Sequence, residues 1–341
     1  MNKNGYIEFW RFYFTIFVCL LHVRGDFFRN ADYFGGGYIA VEFFLILSGI
    51  LMMKSYENKP TNPFQFTIRR LLRLYPHYIF SFIMLFILKT CIVRKLGIYN
   101  TLKKLIASIW EIFLLQMSGI EASLYNFPTW YISALFITGL FVYNLIYFNK
   151  EKYLYIVPLI VLIIYGYYSR NVGNIDIWKT VTFNINDGLI RSFAGMSLGC
   201  LCYFVIKKLN TCDFKESMIL FLDLIQVILY MFVICCGIFK RRTQYDFICI
   251  IFLAIALIIS FSQTKGVVSL FTSRFFAFLG NISYAIFLNH VLIREIFKQF
   301  FSNTILYNIF SFMIIVILYS ICTHFFVNFI FSKVRILIKK Y

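Results

Sequence analysis

Long apolar runs alternate with short polar breaks along the whole chain, and no break is long enough to hold a second, polar domain. Runs near 6–24, 38–54, 77–93, 129–148, 153–169, 189–206, 217–238, 246–263, 280–297 and 307–331 each approach the ~20 residues that a helix needs to cross a bilayer. The pattern predicts an all-α integral membrane protein: about ten transmembrane helices enclosing a polar cavity, one membrane domain over 1–341. Segment 102–117 is apolar but short and carries Glu111. It reads either as an eleventh span or as an interfacial helix, and the interfacial reading is preferred because an eleventh span would carry the basic end of the chain outside.

Composition agrees with the pattern. Hydrophobic residues make up 61% of the 341 and charged residues 14%, against roughly 25% charged in a soluble domain. Mean hydropathy is +0.78, and 21% aromatic residues exclude a disordered chain. The net charge of +18 raises the question of nucleic acid. The cations, however, stand in small clusters at the ends of apolar runs: Arg69, Arg70 and Arg73, then Lys103-Lys104, Lys207-Lys208, Lys240-Arg241-Arg242 and Lys339-Lys340. That is how cations anchor helices among headgroups, so the expected partner is the lipid bilayer and no nucleic acid is expected. The nine cysteines include no C-x-x-C, so neither a metal site nor a redox motif is expected.

The first run carries Glu8, Arg11 and His22 and lacks a small-residue cleavage site, so it is read as a first spanning helix rather than a removable signal. Ten spans from a cytoplasmic N-terminus return Lys333, Arg335, Lys339 and Lys340 to the cytoplasm, which the weak charge bias favours. The location that follows is a multi-pass protein of the plasma or inner membrane.

A charged side chain at mid-bilayer costs at least ~2.5–3.5 kcal/mol, so the ionisable residues inside runs are the first functional candidates. Arg11 and His22 are eleven residues apart. At about 100° per residue they share one helix face, about 16 Å apart along the axis, and Glu8 stands one turn before Arg11 as a partner. Glu42 lies inside the second run, where it needs a partner, and Ser48-Gly49 further along permits close helix approach. Arg70 and Arg73, one turn apart, present two guanidinium forks on one face, a pair suited to phosphate oxygens. Each of these also has a plain structural reading: an interfacial ion pair, a packing helix, or ordinary positive-inside anchoring. Trp130 near a run start fits an aromatic belt. Arg191, opening a run after Asp187, fits a snorkelling anchor or a functional residue equally, and Asp223 an interfacial or paired acid. His290 taken alone fits a satisfied core histidine, and His77 and His324 have no partner visible in the sequence.

Taken together, the motifs resemble membrane-bound acyltransferase family 3, the group that includes bacterial O-antigen and exopolysaccharide O-acetyltransferases. Arg11 with His22 resembles the family's first-helix Arg-ten residues-His signature. Glu42-Phe43-Phe44 through Ser48-Gly49 resembles its acidic-Phe-Phe second helix. Arg70-Leu71-Leu72-Arg73 before Tyr75-Pro76 resembles its cytoplasmic Arg-x-x-Arg element, and Leu279-Gly280, Ser283-Tyr284 and His290 resemble its late helix. One departure is clear: Trp130 is present, but the acid that many members carry after it is not.

The resemblance implies transfer of an acyl group, usually acetyl from acetyl-CoA or another acyl-CoA, to a hydroxyl of a cell-surface carbohydrate or lipid-linked sugar acceptor. His22 would be the catalytic residue, either as a general base or through an acyl-histidine intermediate. Arg70 and Arg73 would hold the nucleotide end of the cofactor, with its pantetheine arm directed toward His22. Arg11, Glu42, Ser48, Trp130, Ser283, Tyr284 and His290 would line the substrate and cofactor path, Glu42 orienting His22 or pairing with Arg11. A different class, a transporter or flippase for a glycan or small molecule, also accounts for ionisable residues inside a polytopic protein. The lack of a visible inverted repeat counts against it.

Overall fold

The computed structural model describes residues 4–28, 33–120, 124–182, 184–262, 266–302, 304–305 and 307–338, with side chains as far as Ser332. Lys339 and Lys340 lie outside the described residues, as do the side chains of Lys333 and Arg335. The protein is all-α and integral to the membrane. Its helices are α1 (Gly5–Phe27), α2 (Ala40–Asn58), α3 (Pro63–Ile87), α4 (Ile98–Ala107), α5 (Ile109–Ile112), α6 (Trp130–Asn171), α7 (Asp187–Leu209), α8 (Glu216–Phe239), α9 (Tyr245–Ser262), α10 (Arg274–Ile296) and α11 (Ile309–Ile338). A two-residue antiparallel ladder pairs Val181 with Asn186 ahead of α7.

Among the described residues nine helical stretches are long and apolar enough to cross a membrane. One of them, Phe127–Asn171, has 45 residues. At 1.5 Å per residue a straight helix of that length would run about 67 Å, twice the ~30 Å hydrocarbon core. The helix breaks at Asn149, whose backbone leaves the helical region (φ −156°, ψ 70°), so the stretch supplies two crossings. Counted so, the described residues hold helix for ten crossings, the number that the apolar pattern predicts. Segment 102–117 is not an eleventh: it contributes to α4 and the single turn of α5, which Ser108 separates. The ten residues of α4 span only about 15 Å, and none of them is buried. Its Ile98, Leu102, Leu105 and Ile106 are exposed on one face, with Lys103 and Lys104 on the opposite arc.

The chain packs as two compact units, each assembled from separate stretches of sequence. One comprises Met1–Phe66 with Ala134–Asn281, and the other Thr67–Ser133 with Ile282–Tyr341. In the first unit α2 and α7 cross at backbone contact. A Cβ on Gly49 would stand 2.0 Å from the Met196 carbonyl oxygen, and one on Gly199 would stand 2.0 Å from that of Ile46. Gly195 and Gly199, one turn apart, give α7 the small-residue stripe that membrane helices use to approach closely. α1 is started by Asn4, whose Oδ1 accepts from the amides of Tyr6 and Ile7 while its Nδ2 donates to the Ser260 carbonyl. The Trp10 ring stacks on Tyr230 with centroids 4.0 Å apart.

In the second unit α3 ends in a π-helical turn, Leu88–Val93. The apolar run starts at residue 77, but the helix starts at Pro63 and passes through Pro76. Arg70 and Arg73 therefore sit on a rigid helix, one to two turns before the proline, rather than on a connecting loop. Leu85 and Leu88 pack with Val291 and Leu292 of α10. Asn289 of α10 donates to Thr323 Oγ1 of α11 at 2.8 Å.

Candidate active site

The first unit carries the candidates of α1 and α2. Arg11 Nη1 meets Glu8 Oε2 at 2.7 Å, the partner its one-turn spacing predicts. The carboxylate fits because residue 280 has no side chain: a Cβ on Gly280 would stand 1.6 Å from Glu8 Oε2. His22 lies half-buried near the far end of the same helix, and Ser48 is half-buried on α2.

Glu42 goes elsewhere than to Arg11. Its Oε1 accepts from Arg191 Nε at 2.7 Å, with both side chains fully buried, and its Oε2 accepts from the Tyr165 hydroxyl at 3.0 Å. Arg191 also donates through Nη2 to the Tyr38 carbonyl. The Tyr38 hydroxyl donates to Asp246 Oδ2, which accepts the Ile175 amide as well. The close α2–α7 crossing is what brings Arg191 within reach. Four residues after the helix-opening Asp187, Arg191 reads in the sequence equally as a snorkelling anchor or a functional residue, and the fold places it in the interior. Asp187, at the start of α7, accepts from the Tyr168 hydroxyl at 2.7 Å.

The second unit gathers the later motifs. Arg70 is half-buried and Arg73 exposed on α3. Arg70 is within electrostatic reach of Arg73 and Tyr131, and Tyr284 of both Tyr131 and Arg73. The Tyr284 hydroxyl donates to the Leu74 carbonyl, one residue beyond Arg73. Two guanidinium groups and two phenols thus form one cluster. Trp130, nearly buried, begins the helix that carries Tyr131, and Ser283 is buried on α10. His290 is fully buried, with Nδ1 2.6 Å from the Phe287 carbonyl of its own helix. His77 and His324, which nothing in the sequence associates, face each other with ring centroids 5.4 Å apart, and the His77 ring also lies near Tyr284.

A polar network not visible in the sequence centres on Glu111 of α5. Its carboxylate accepts the backbone amides of Tyr125 at 2.7 Å and Asn126 at 2.9 Å. Asn126 Nδ2 donates to the Leu288 carbonyl of α10, which also accepts from Ser81 of α3. Gln116 donates to the Thr129 carbonyl, and the Tyr78 hydroxyl to the Glu111 carbonyl. Glu111 lies outside the spanning helices. Burial pushes its carboxyl up to about 7, although the two amides and the charge of Lys89 pull the other way. The one sequence signal for this role is an acid within an apolar segment too short to span.

All nine cysteines are free. Among the described residues no group of three or more His, Cys, Asp or Glu is placed to hold a metal ion. A family model described as an acyltransferase domain, of acyltransferase family 3, matches residues 4–327. No curated protein and no solved structure matches the chain. The match runs across both units and nearly the whole sequence, so the chain belongs to acyltransferase family 3 and is a multi-pass membrane acyltransferase, transferring an acyl group to a hydroxyl.

Proposed function

We propose that the protein takes an acyl group, normally acetyl, from acyl-CoA and places it on a hydroxyl of a cell-surface or lipid-linked carbohydrate, with His22 as general base. The observation that carries this reading is the polar face of α1: a half-buried imidazole on the same face as an arginine already neutralised by Glu8. Membrane helices rarely keep such groups without a use for them. The thioester is already activated, and the acceptor hydroxyl is the weak reactant. His22 removes its proton as the oxygen attacks the thioester carbon. The C–S bond then breaks, and the imidazolium returns the proton to the CoA thiolate. A positioned base of this kind contributes ~10²–10⁴-fold.

Arg70 and Arg73 suit the diphosphate of the CoA nucleotide, with the phenols of Tyr131 and Tyr284 beside them. Ser48, Trp130 and Ser283 would contact the substrates, and Glu42, paired with Arg191, and His290, bonded to its own helix, would act through the packing they fix. Ten crossings leave both chain ends on one side. We assign that side to the cytoplasm, where acyl-CoA is found and where the basic C-terminus is favoured.

The test is labelled acetyl-CoA supplied to purified protein in lipid with a panel of surface glycans. Transfer of label to one glycan supports the reading and names the acceptor. Movement of a glycan across vesicles without label would show a transporter instead.

A further inference from the structure

The residues around Tyr125–Trp130 are clamped from several directions within the second unit. Glu111 accepts the amides of Tyr125 and Asn126, one with each carboxylate oxygen. Lys89, in the π-helical end of α3, donates through Nζ to the Tyr125 carbonyl at 3.0 Å. Asn126 reaches the Leu288 carbonyl at 2.9 Å, and the same carbonyl accepts from Ser81 of α3. Thr129 Oγ1 closes the turn on the Asn126 carbonyl at 2.7 Å, directly before Trp130 starts α6. One carboxylate therefore fixes a turn whose neighbours are α3, α6 and α10, the three helices that carry Arg70, Arg73, Tyr131 and Tyr284.

We propose that Glu111 is a positioning residue for the acyl-CoA nucleotide site: it locks the Tyr125–Thr129 turn and, through Asn126 and the start of α6, holds Tyr131 and Tyr284 beside the two arginines. This rests on the reading of those arginines as the nucleotide site. The hydrogen-bond inventory explains why a carboxylate is needed. The two converging backbone N–H groups are each met by a separate carboxyl oxygen, and a carboxylate brings no N–H of its own to the site. A glutamine keeps one oxygen and turns an N–H₂ toward the other amide. The charged and titratable groups that act on Glu111 are Tyr78 and Lys89 from α3 and its π turn and Tyr125 from the turn itself; Lys89 in turn is reached by Arg94 and pairs with Glu295 of α10 at 3.6 Å. Lys89 opposes the burial of the acid, and Glu295 in turn holds Lys89.

Two readouts on the purified full chain in lipid test this. Backbone hydrogen exchange of the peptide spanning 124–129 should speed up by roughly 10-fold or more in E111Q and further in E111A, as amides lose their acceptors. In the acetyl-transfer assay E111Q should raise the KM for acetyl-CoA by about 10-fold while kcat stays within about 2-fold. A residue that only stabilises the fold would instead lower the active fraction, and so kcat, at unchanged KM. Unchanged exchange at 124–129 in E111Q, or a fall in kcat with KM unmoved, overturns the proposal. If E111A does not fold, E111Q alone decides both readouts. If R70A with R73A leaves the KM for acetyl-CoA unchanged, the reading of the arginines fails, whereas the exchange experiment still reports on the turn.

Discussion

Replacing Glu42 by glutamine keeps the size of the side chain and its hydrogen-bonding reach and removes only the charge. Its partner Arg191 is fully buried at 2.7 Å, so the variant leaves a guanidinium in the interior without the carboxylate that contacts it. Loss of one member of a buried pair typically costs 3–5 kcal/mol, because the remaining charge stays desolvated. The local structure sets the value toward the upper end. Glu42 also accepts from Tyr165, so the replacement disturbs a second buried contact. Thermal unfolding of purified protein in detergent should show E42Q melting on the order of 5–10 °C below wild type. Arg191→Met should cost a similar amount. The double replacement Glu42→Leu with Arg191→Met removes both charges and should be more stable than either single variant, because the penalty lies in the unpaired ion rather than in the missing attraction. E42Q melting with the wild type, or a double variant that loses the sum of the two singles, would refute the reasoning.

Three further outcomes follow from individual contacts. Gly280→Ala drives a methyl into the Glu8 carboxylate, which stands 1.6 Å from the new atom. It should destabilise by roughly 1–3 kcal/mol, and adding Glu8→Ala should recover most of the melting temperature. Glu111 is held up to about 7 from an ordinary 4.5, so the folded state binds more protons than the unfolded state between those values. Stability should fall as pH rises from about 4.5 to about 7, by about 1.4 kcal/mol per unit, and then level off; melting curves of E111Q should lack that slope. Removing Arg70 and Arg73 together should raise the KM for acetyl-CoA by roughly 10–100-fold, the value of charge-assisted phosphate contacts, with acceptor KM little changed.

The crossings were legible because bilayer thickness imposes a length on every apolar run, and even the break at Asn149 coincides with a polar gap between runs at 148 and 153. The Glu8–Arg11 pair was legible because its spacing is local. Glu42 was legible as a residue in need of a partner, but the partner lies 149 positions away, on a helix that approaches only because Gly49, Gly195 and Gly199 let backbones touch. Linear spacing carries no such information. The same holds for His77 with His324, and for the Asn126 side chain bonded to the Leu288 carbonyl. Glu111 drew notice only as an oddity in a short apolar segment; its task depends on a turn 14 residues later that has no periodicity to read. The arginines of α3 were recognised by type and spacing, whereas the start of their helix at Pro63 was hidden by the polar residues of its first turns.

The central claim is that the imidazole of His22 takes the acceptor proton, and single-turnover transfer of labelled acetyl from acetyl-CoA tests it most directly. His22→Ala protein that inserts, melts with the wild type and binds acetyl-CoA normally should transfer label ~10²–10⁴-fold more slowly. Transfer at the wild-type rate by that protein would contradict the account.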